Sequence, residues 1–123
     1  MIVALLCLAG GVGAVARLVL DGMVRERTSG DFPWATLLIN ISGSLLLGVL
    51  TGLVLFRDAP DQLRVVLGTG FCGGYTTFST ASFETVRLVQ QRAFSRALGY
   101  AAASVLGALA AATLGLVITG SLQ

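Results

Sequence analysis

Gly70 to Glu84 reads GFCGGYTTFSTASFE, and this stretch decides the fold because it is polar and glycine-rich within a strongly apolar chain. The full sequence has 123 residues, of which 55% are hydrophobic. Backbone groups released from a helix find no water in a bilayer, so such a stretch is tolerated only where it is buried in protein or lines a wet path. The sequence therefore predicts a helix that is broken at its centre, beside a permeation or binding site.

Four mostly apolar runs make up most of the chain, at about 2–20, 34–56, 63–86 and 97–119. A run of about 20 apolar residues is long enough to cross the hydrocarbon core as a helix. The sequence therefore predicts an all-α membrane protein with four transmembrane helices. We expect these helices to form a single domain over residues 1–123, with short loops.

The charged residues are few, and most of them lie between the apolar runs. There are eight Lys and Arg residues together, six Asp and Glu residues and no His. No basic cluster indicates nucleic-acid binding, and no Ser-His-Asp set, carboxylate pair or phosphate loop indicates an enzyme. Two Cys residues without any His also argue against a zinc or haem site.

Small residues recur at helical spacing in the second and fourth runs. They are Ser44, Gly48 and Gly52 in one run, and Gly107, Ala111 and Gly115 in the other. Such stripes let helix backbones approach closely in lipid, either within one chain or between subunits. Because four short helices enclose little volume, we expect a second subunit to complete any pathway.

Two polar residues interrupt the first two apolar runs. Arg17 lies late in the first run, where its side chain either reaches the membrane interface or stabilises an anion path or structural carbonyls. Asn40 lies in the middle of the second run, with Thr36 and Ser44 one turn away on either side. This polar stripe is either part of a pathway or a clasp between helices.

Hydroxyl groups dominate the remaining polar positions. They belong to Ser79, Thr80 and Ser82 in the third run, which Glu84 follows, and to Tyr100 and Ser104 in the fourth. Hydroxyl and amide donors favour anions, as does the positive edge of an aromatic ring. A pore of dispersed neutral donors can replace the water shell of an ion and still release it. The residues alone thus indicate a channel or carrier for a small anion.

A small multidrug antiporter of four spans fits the sequence less well. Such a protein needs an acidic residue within the membrane for proton coupling, and the first run offers none before Asp21.

The ordered motifs resemble the CrcB/Fluc family of fluoride channels over nearly the whole chain. The matching residues are Gly10-Gly11-x-Gly13-Ala14-x-x-Arg17, Pro33-x-x-Thr36-x-x-x-Asn40-x-x-Gly43-Ser44 and Gly70-Phe71-Cys72-Gly73-Gly74-x-Thr76-Thr77-Phe78-Ser79-Thr80. Each motif alone is modest evidence for this resemblance, but three motifs in this order and at this spacing are specific to the family.

The resemblance implies a fluoride-selective channel that exports fluoride passively from the cytoplasm and lowers its toxicity. It also implies a multi-pass protein of the bacterial inner membrane that forms an antiparallel, dual-topology dimer with two pores. A structural Na⁺ is expected at the break, held by the backbone carbonyls of Gly73 and Thr76.

The resemblance further implies a fluoride pathway. Its expected residues are Asn40, Phe78, Ser79, Thr80, Tyr100 and Ser104, with Glu84 near the end and Arg17 at the vestibule.

Two positions depart from the family pattern. Ala81 stands where a second pore phenylalanine is usual, and Ala108 replaces a polar residue in the fourth run. Phe83 does not replace the missing ring, because two residues rotate it about 200° around a helix. The alternative function is therefore a non-conducting or half-pore structural subunit of a heterodimeric fluoride channel.

The arginines are unevenly distributed among the connectors. Arg25, Arg27, Arg87, Arg92 and Arg96 lie in the first and third connectors, whereas Arg57 and Arg64 lie near the second. Because positive residues favour the cytoplasmic side, this bias favours one orientation and hence a heterodimer with an oppositely biased homologue. The alternative is a weak bias that insertion ignores, with a homodimer as the result.

Overall fold

The computed structural model describes residues 1–122, which form helices joined by short connections. Three helices, α1 (Ile2–Arg27), α2 (Trp34–Arg57) and α6 (Phe94–Ser121), are each long and apolar enough to cross a membrane. No strand occurs in this part of the chain. The prediction of an all-α protein with apolar, membrane-capable helices is therefore confirmed.

The third apolar run is interrupted, as predicted. Its segments are α3 (Asp61–Leu63), the π-helix π1 (Arg64–Cys72), α4 (Gly73–Tyr75) and α5 (Phe78–Gln90). The first three follow one another directly, but Thr76 and Thr77 have extended backbones, with ψ angles of 161° and 118°. These two threonines separate the run into two helical halves.

Of the glycines and threonines expected to interrupt this run, the threonines do so and the glycine pair does not. Gly73 has helical angles, with φ −62° and ψ −38°. Gly74 lies against α1, and a Cβ atom there would come within 2.1 Å of the Gly10 carbonyl oxygen. Gly74 is therefore needed for a close approach between helices, while the change of backbone direction falls on the β-branched threonines, which favour extended conformations.

The small residues of α2 and α6 pack against each other within the chain. A Cβ atom at Gly48 would lie 2.1 Å from the Ala112 carbonyl oxygen, and one at Gly115 would lie 2.5 Å from that of Leu45. Gly52 likewise leaves room for the Thr119 side chain. Most of the predicted stripe therefore serves intramolecular packing, which in lipid depends on close contact and not on hydrophobic exclusion.

A buried cluster closes the bundle where α5 turns into α6. Leu37, Leu88, Ala97 and Tyr100 form this cluster, and the Phe32 ring meets the Tyr100 ring edge-on at a centroid distance of 5.7 Å. The connector between α1 and α2 therefore packs onto the same end of the molecule as the α5–α6 connection.

We expect Gly48→Ala to destabilise the fold, because its methyl group would force α2 away from α6. Overpacking of this kind lowers the free energy of unfolding by about 1–3 kcal/mol. The matched control is Gly22→Ala on α1, where a Cβ atom meets nothing within 4 Å. Unfolding of the purified protein in mixed micelles, followed by circular dichroism during a titration with sodium dodecyl sulfate, compares the two variants. Equal stability of both would contradict the packing described here.

Candidate functional site: an open groove at the broken helix

An open groove of about 900 Å³ runs beside the interruption of the third apolar run. α2, π1, α4, α5 and α6 all contribute residues to it, and its walls are mostly apolar. Of the residues expected at the sodium site or in the fluoride pathway, it is lined by Asn40, Gly73, Thr76, Phe78 and Ser104. None of the residues that line it carries a charge.

Asn40 holds the extended backbone in place through two hydrogen bonds. Its Nδ2 donates to the Thr77 carbonyl oxygen at 2.9 Å, and its Oδ1 accepts from the Thr77 N–H at 2.8 Å. Thr77 is buried, so both of its backbone groups need partners. Of the two roles that the sequence left open for Asn40, the structure shows the clasp, and it also places Asn40 on the groove.

The clasp frees the carbonyl of Gly73. In a continuous α-helix this oxygen would accept from the N–H four residues later, which belongs to Thr77. That N–H is donated to Asn40. The Gly73 carbonyl therefore has no helical donor at this depth, and Gly73 is itself exposed at the groove. Thr76 has left the helix as well, with ψ 161°.

Thr77 also caps α5. Its Oγ1 accepts from the Thr80 N–H at 3.2 Å, donates to Thr80 Oγ1 at 3.0 Å and lies 3.3 Å from Ser79 Oγ. The hydroxyls of Ser79 and Thr80 therefore belong to a cluster around the start of α5 and do not line the groove. The helix N-terminus that they surround carries a partial positive charge.

Phe78, the first residue of α5, projects from the chain. Its side chain is 87% exposed and lines the groove. Ala81 lines the groove one turn later, whereas Phe83 is exposed elsewhere. This agrees with the prediction that Phe83 does not replace a ring at position 81. Ala108, the second departure from the family pattern, lines the same groove.

Two predicted residues have buried polar atoms without a partner in the described chain. They are the Oγ of Ser104, a residue that lines the groove, and the Nε of Arg17. Buried polar atoms normally have partners, so these two groups are candidates for contact with an ion, water or another subunit. Arg17 does not line the groove.

Tyr100 and Glu84 lie outside the groove and bond to each other. Tyr100 is fully buried, and its hydroxyl donates to Glu84 Oε2 at 3.0 Å. Arg25 donates from Nη2 to the other carboxylate oxygen, Oε1, at 3.1 Å. A second cavity of about 180 Å³, between the end of α1 and α5, contains Arg25 and Glu84 in its wall.

Sequence reasoning missed two of these contributions. Nothing in the spacing of Arg25 and Glu84, which are 59 residues apart, indicates that they meet. The sequence identified Thr77 only as part of a motif. The signal that could have found its role is Asn40, whose amide in the middle of an apolar helix can satisfy released backbone groups. In the described residues no three His, Cys, Asp or Glu side chains converge on a metal-binding position.

Comparison with known proteins finds a family and several relatives that match most of the chain. The family described as "CrcB-like protein, Camphor Resistance (CrcB)" matches residues 4–116. The protein named "Fluoride-specific ion channel FluC 1" of Leifsonia xyli subsp. xyli is 52% identical over 120 residues, which cover 98% of this chain and 88% of the relative. "Fluoride-specific ion channel FluC 2" of Cutibacterium acnes is 48% identical, with 89% and 93% covered. The protein of the same name in Moorella thermoacetica is 44% identical, with 92% and 93% covered.

Proposed function

The chain belongs to the CrcB-like protein family, and we propose that it is a fluoride-selective channel of the bacterial inner membrane. It lets fluoride leave the cytoplasm passively and so lowers its toxicity. The observation that carries this proposal is the match to relatives named fluoride-specific channels, at 44–52% identity over most of the chain. These relatives are ion channels and not enzymes, in line with the absence of a catalytic motif from the sequence.

The chemistry of the groove supports conduction of a small anion. Asn40 uses one amide hydrogen on Thr77, which leaves the second available toward the groove. Ser104 offers an O–H without a protein partner, and Phe78 offers the positive edge of its ring. These donors are neutral, so they can replace water around fluoride without holding the ion as tightly as an arginine would.

The proposed pathway has two parts. Asn40, Phe78 and Ser104 act in the groove, and Ser79 and Thr80 act around the start of α5. Tyr100 and Glu84 continue the route toward the second cavity, and Arg17 lies at the vestibule. Hydrogen bonds join Thr77 to Thr80 and Tyr100 to Glu84, so polar groups meet within each of these two sections of the proposed route.

We propose that two subunits in antiparallel, dual-topology orientation form the channel. The groove is open on one side, and the Phe78 ring beside it is exposed. An ion in this groove would face lipid or water, so a second four-span subunit is needed to enclose it. Two such grooves per dimer would give two pores.

The groove also supports a second candidate, a half-pore subunit of a heterodimeric fluoride channel. Ala81 and Ala108 both line the groove, so both departures from the family pattern reduce the polar or aromatic contacts available to an ion. The uneven distribution of arginines favours a single orientation for this chain. An oppositely oriented homologue with larger side chains at the equivalent positions would complete one pore.

We further propose that a structural Na⁺ binds between the subunits at the carbonyls of Gly73 and Thr76. The residues fit this ion, because the clasp on Thr77 leaves the Gly73 carbonyl without its helical donor and turns Thr76 away from helical geometry. Unwound backbone is a typical source of Na⁺ ligands inside membranes. The ion would contribute positive charge at the subunit interface.

Purified protein in liposomes should release fluoride rapidly when valinomycin and a potassium gradient drive it, without release of chloride. A fluoride electrode and a chloride electrode measure the two fluxes. Flux from this chain alone supports a homodimer, and flux only after copurification with a second four-span homologue supports the half-pore subunit. Absence of fluoride flux in both preparations overturns the proposed function.

Ser104→Ala should lower fluoride flux with little effect on stability, because its hydroxyl makes no well-formed hydrogen bond among residues 1–122. One hydrogen bond is worth about 1 kcal/mol, so we expect a decrease of about fivefold. Thr113→Ala is the matched control, since its exposed hydroxyl bonds only to the Leu109 carbonyl of its own helix. Equal flux in both variants would remove Ser104 from the pathway.

Gly73→Ala should weaken the dimer and its stabilisation by Na⁺, while the helical content of each subunit stays unchanged. A Cβ atom at Gly73 meets nothing within 4 Å in the single chain, so any loss must come from the partner or the ion. Gly11→Ala, which also meets nothing within 4 Å, is the control. Thermal unfolding and light scattering in NaCl and in N-methylglucamine chloride compare the variants. A natural protein that is equally stable in both salts would contradict the cation site.

A further inference from the structure

Glu84 presents an electrostatic problem for an anion channel. Its side chain is only 7% exposed and lies beside Tyr100 on the route proposed above. A buried carboxylate repels an approaching anion much more strongly than an exposed one, because little water screens it. A fluoride route that passes Glu84 therefore needs a compensating positive charge.

Arg25 is the positive residue in contact with Glu84 within residues 1–122. Its Nη2 donates to Glu84 Oε1 at 3.1 Å, and its Nε donates to Asp21 Oδ2 at 2.7 Å. The other arginine beside the second cavity, Arg87, pairs instead with Asp31 at 3.8 Å. The charge of Glu84 is thus compensated from α1, although Glu84 belongs to α5.

The Tyr100 hydroxyl completes the surroundings of the carboxylate. It donates to Glu84 Oε2 at 3.0 Å, so each carboxylate oxygen has one donor. This arrangement directs both oxygens toward protein groups and away from a passing ion. Tyr100 is neutral and Asp21 adds a second negative charge beside Arg25, so Arg25 is the one positive group in contact with Glu84 among residues 1–122 and offsets its charge in part.

We propose that Arg25 is a positioning residue for fluoride conduction: it offsets and orients the Glu84 carboxylate so that this end of the pathway admits an anion. The inference rests on the proposed function, since it concerns the passage of fluoride. It assigns to the end of α1 a role in permeation that the sequence did not indicate. Its effect is electrostatic and acts through Glu84, not through contact with the ion.

The competing explanation is a purely structural tie between α1 and α5. Such a tie would no longer stabilise the contact between α1 and α5 once either Arg25 or Glu84 is replaced. Charge compensation behaves differently, because the loss of Arg25 is harmful only while Glu84 keeps its charge. The two explanations therefore differ in the double variant.

Flux of fluoride from liposomes should distinguish them. We expect Arg25→Gln to reduce flux by about tenfold, and Arg25→Lys, which keeps the charge, to stay within about threefold of the natural protein. Because Glu84 lies on the proposed route, the double variant is compared with Arg25→Gln: adding Glu84→Gln to Arg25→Gln should raise flux severalfold above that of Arg25→Gln alone. A double variant that conducts no better than Arg25→Gln, in assembled protein, overturns the proposal, and the thiol measurement below decides if Arg25→Gln fails to assemble.

A second measurement introduces a positive charge at position 25 by chemical modification, after the protein has folded. Arg25→Cys is prepared in a Cys7→Ser background, because Cys7 is exposed whereas Cys72 is buried. The Arg25 side chain is 52% exposed, so reagents can reach a thiol at this position. We expect 2-aminoethyl methanethiosulfonate, which adds a positive group, to raise flux severalfold. Methyl methanethiosulfonate, which adds a neutral group, should not. Equal effects of the two reagents would count against compensation.

The natural protein in the same liposomes separates this inference from the proposed function. If it conducts fluoride and the Arg25 variants conduct equally well, only the role of Arg25 is wrong. If it does not conduct under any of the conditions above, both proposals fall together.

Discussion

The pair of hydrogen bonds between Asn40 and the backbone of Thr77 is the interaction on which the other features of the groove depend. A helix cannot be interrupted in lipid unless the released N–H and C=O groups find partners. An asparagine amide is suited to this because it carries a donor and an acceptor on one planar group, and here it satisfies both backbone groups of a single residue. With Thr77 fixed, α5 begins beside the groove, Phe78 projects into it and the Gly73 carbonyl is left without a helical donor.

The glycine contacts explain why there is room for a groove in so small a bundle. Gly48 and Gly115 bring α2 and α6 to backbone contact, and Gly13 and Gly74 bring α1 equally close to the first half of the broken run. At each of these contacts the two helices lie close together, and the groove opens where α2 and α6 meet the broken run. In lipid such contacts replace the hydrophobic effect as the source of helix association, so the position of the glycines determines the shape of the cavity.

Sequence reasoning predicted the elements of this fold better than their contacts. Apolar runs identify α1, α2 and α6 because bilayer thickness fixes their length. The interruption of the third run among its glycines and threonines was also predictable, but not that the threonines alone would carry it. Glycine weakens a helix and equally permits close packing, and only the position of Gly10 in space shows that Gly74 serves the second purpose. The contact of Arg25 with Glu84 was not predictable, since it depends on how α1 and α5 are oriented and not on any local pattern.

The size of the groove argues that one chain alone does not select fluoride. A volume of about 900 Å³ corresponds to roughly 30 water molecules at about 30 Å³ each. An ion in such a space keeps most of its hydration shell, and a hydrated fluoride is poorly distinguished from other hydrated anions. Selectivity requires donors at hydrogen-bond distance on several sides of the ion. Ser104, Asn40 and Phe78 supply donors from one side only, and Ala81 and Ala108 supply none. In the proposed dimer the remaining surfaces would come from the second subunit, and the side chains that this partner places opposite the two alanines would decide whether the groove becomes a narrow pore.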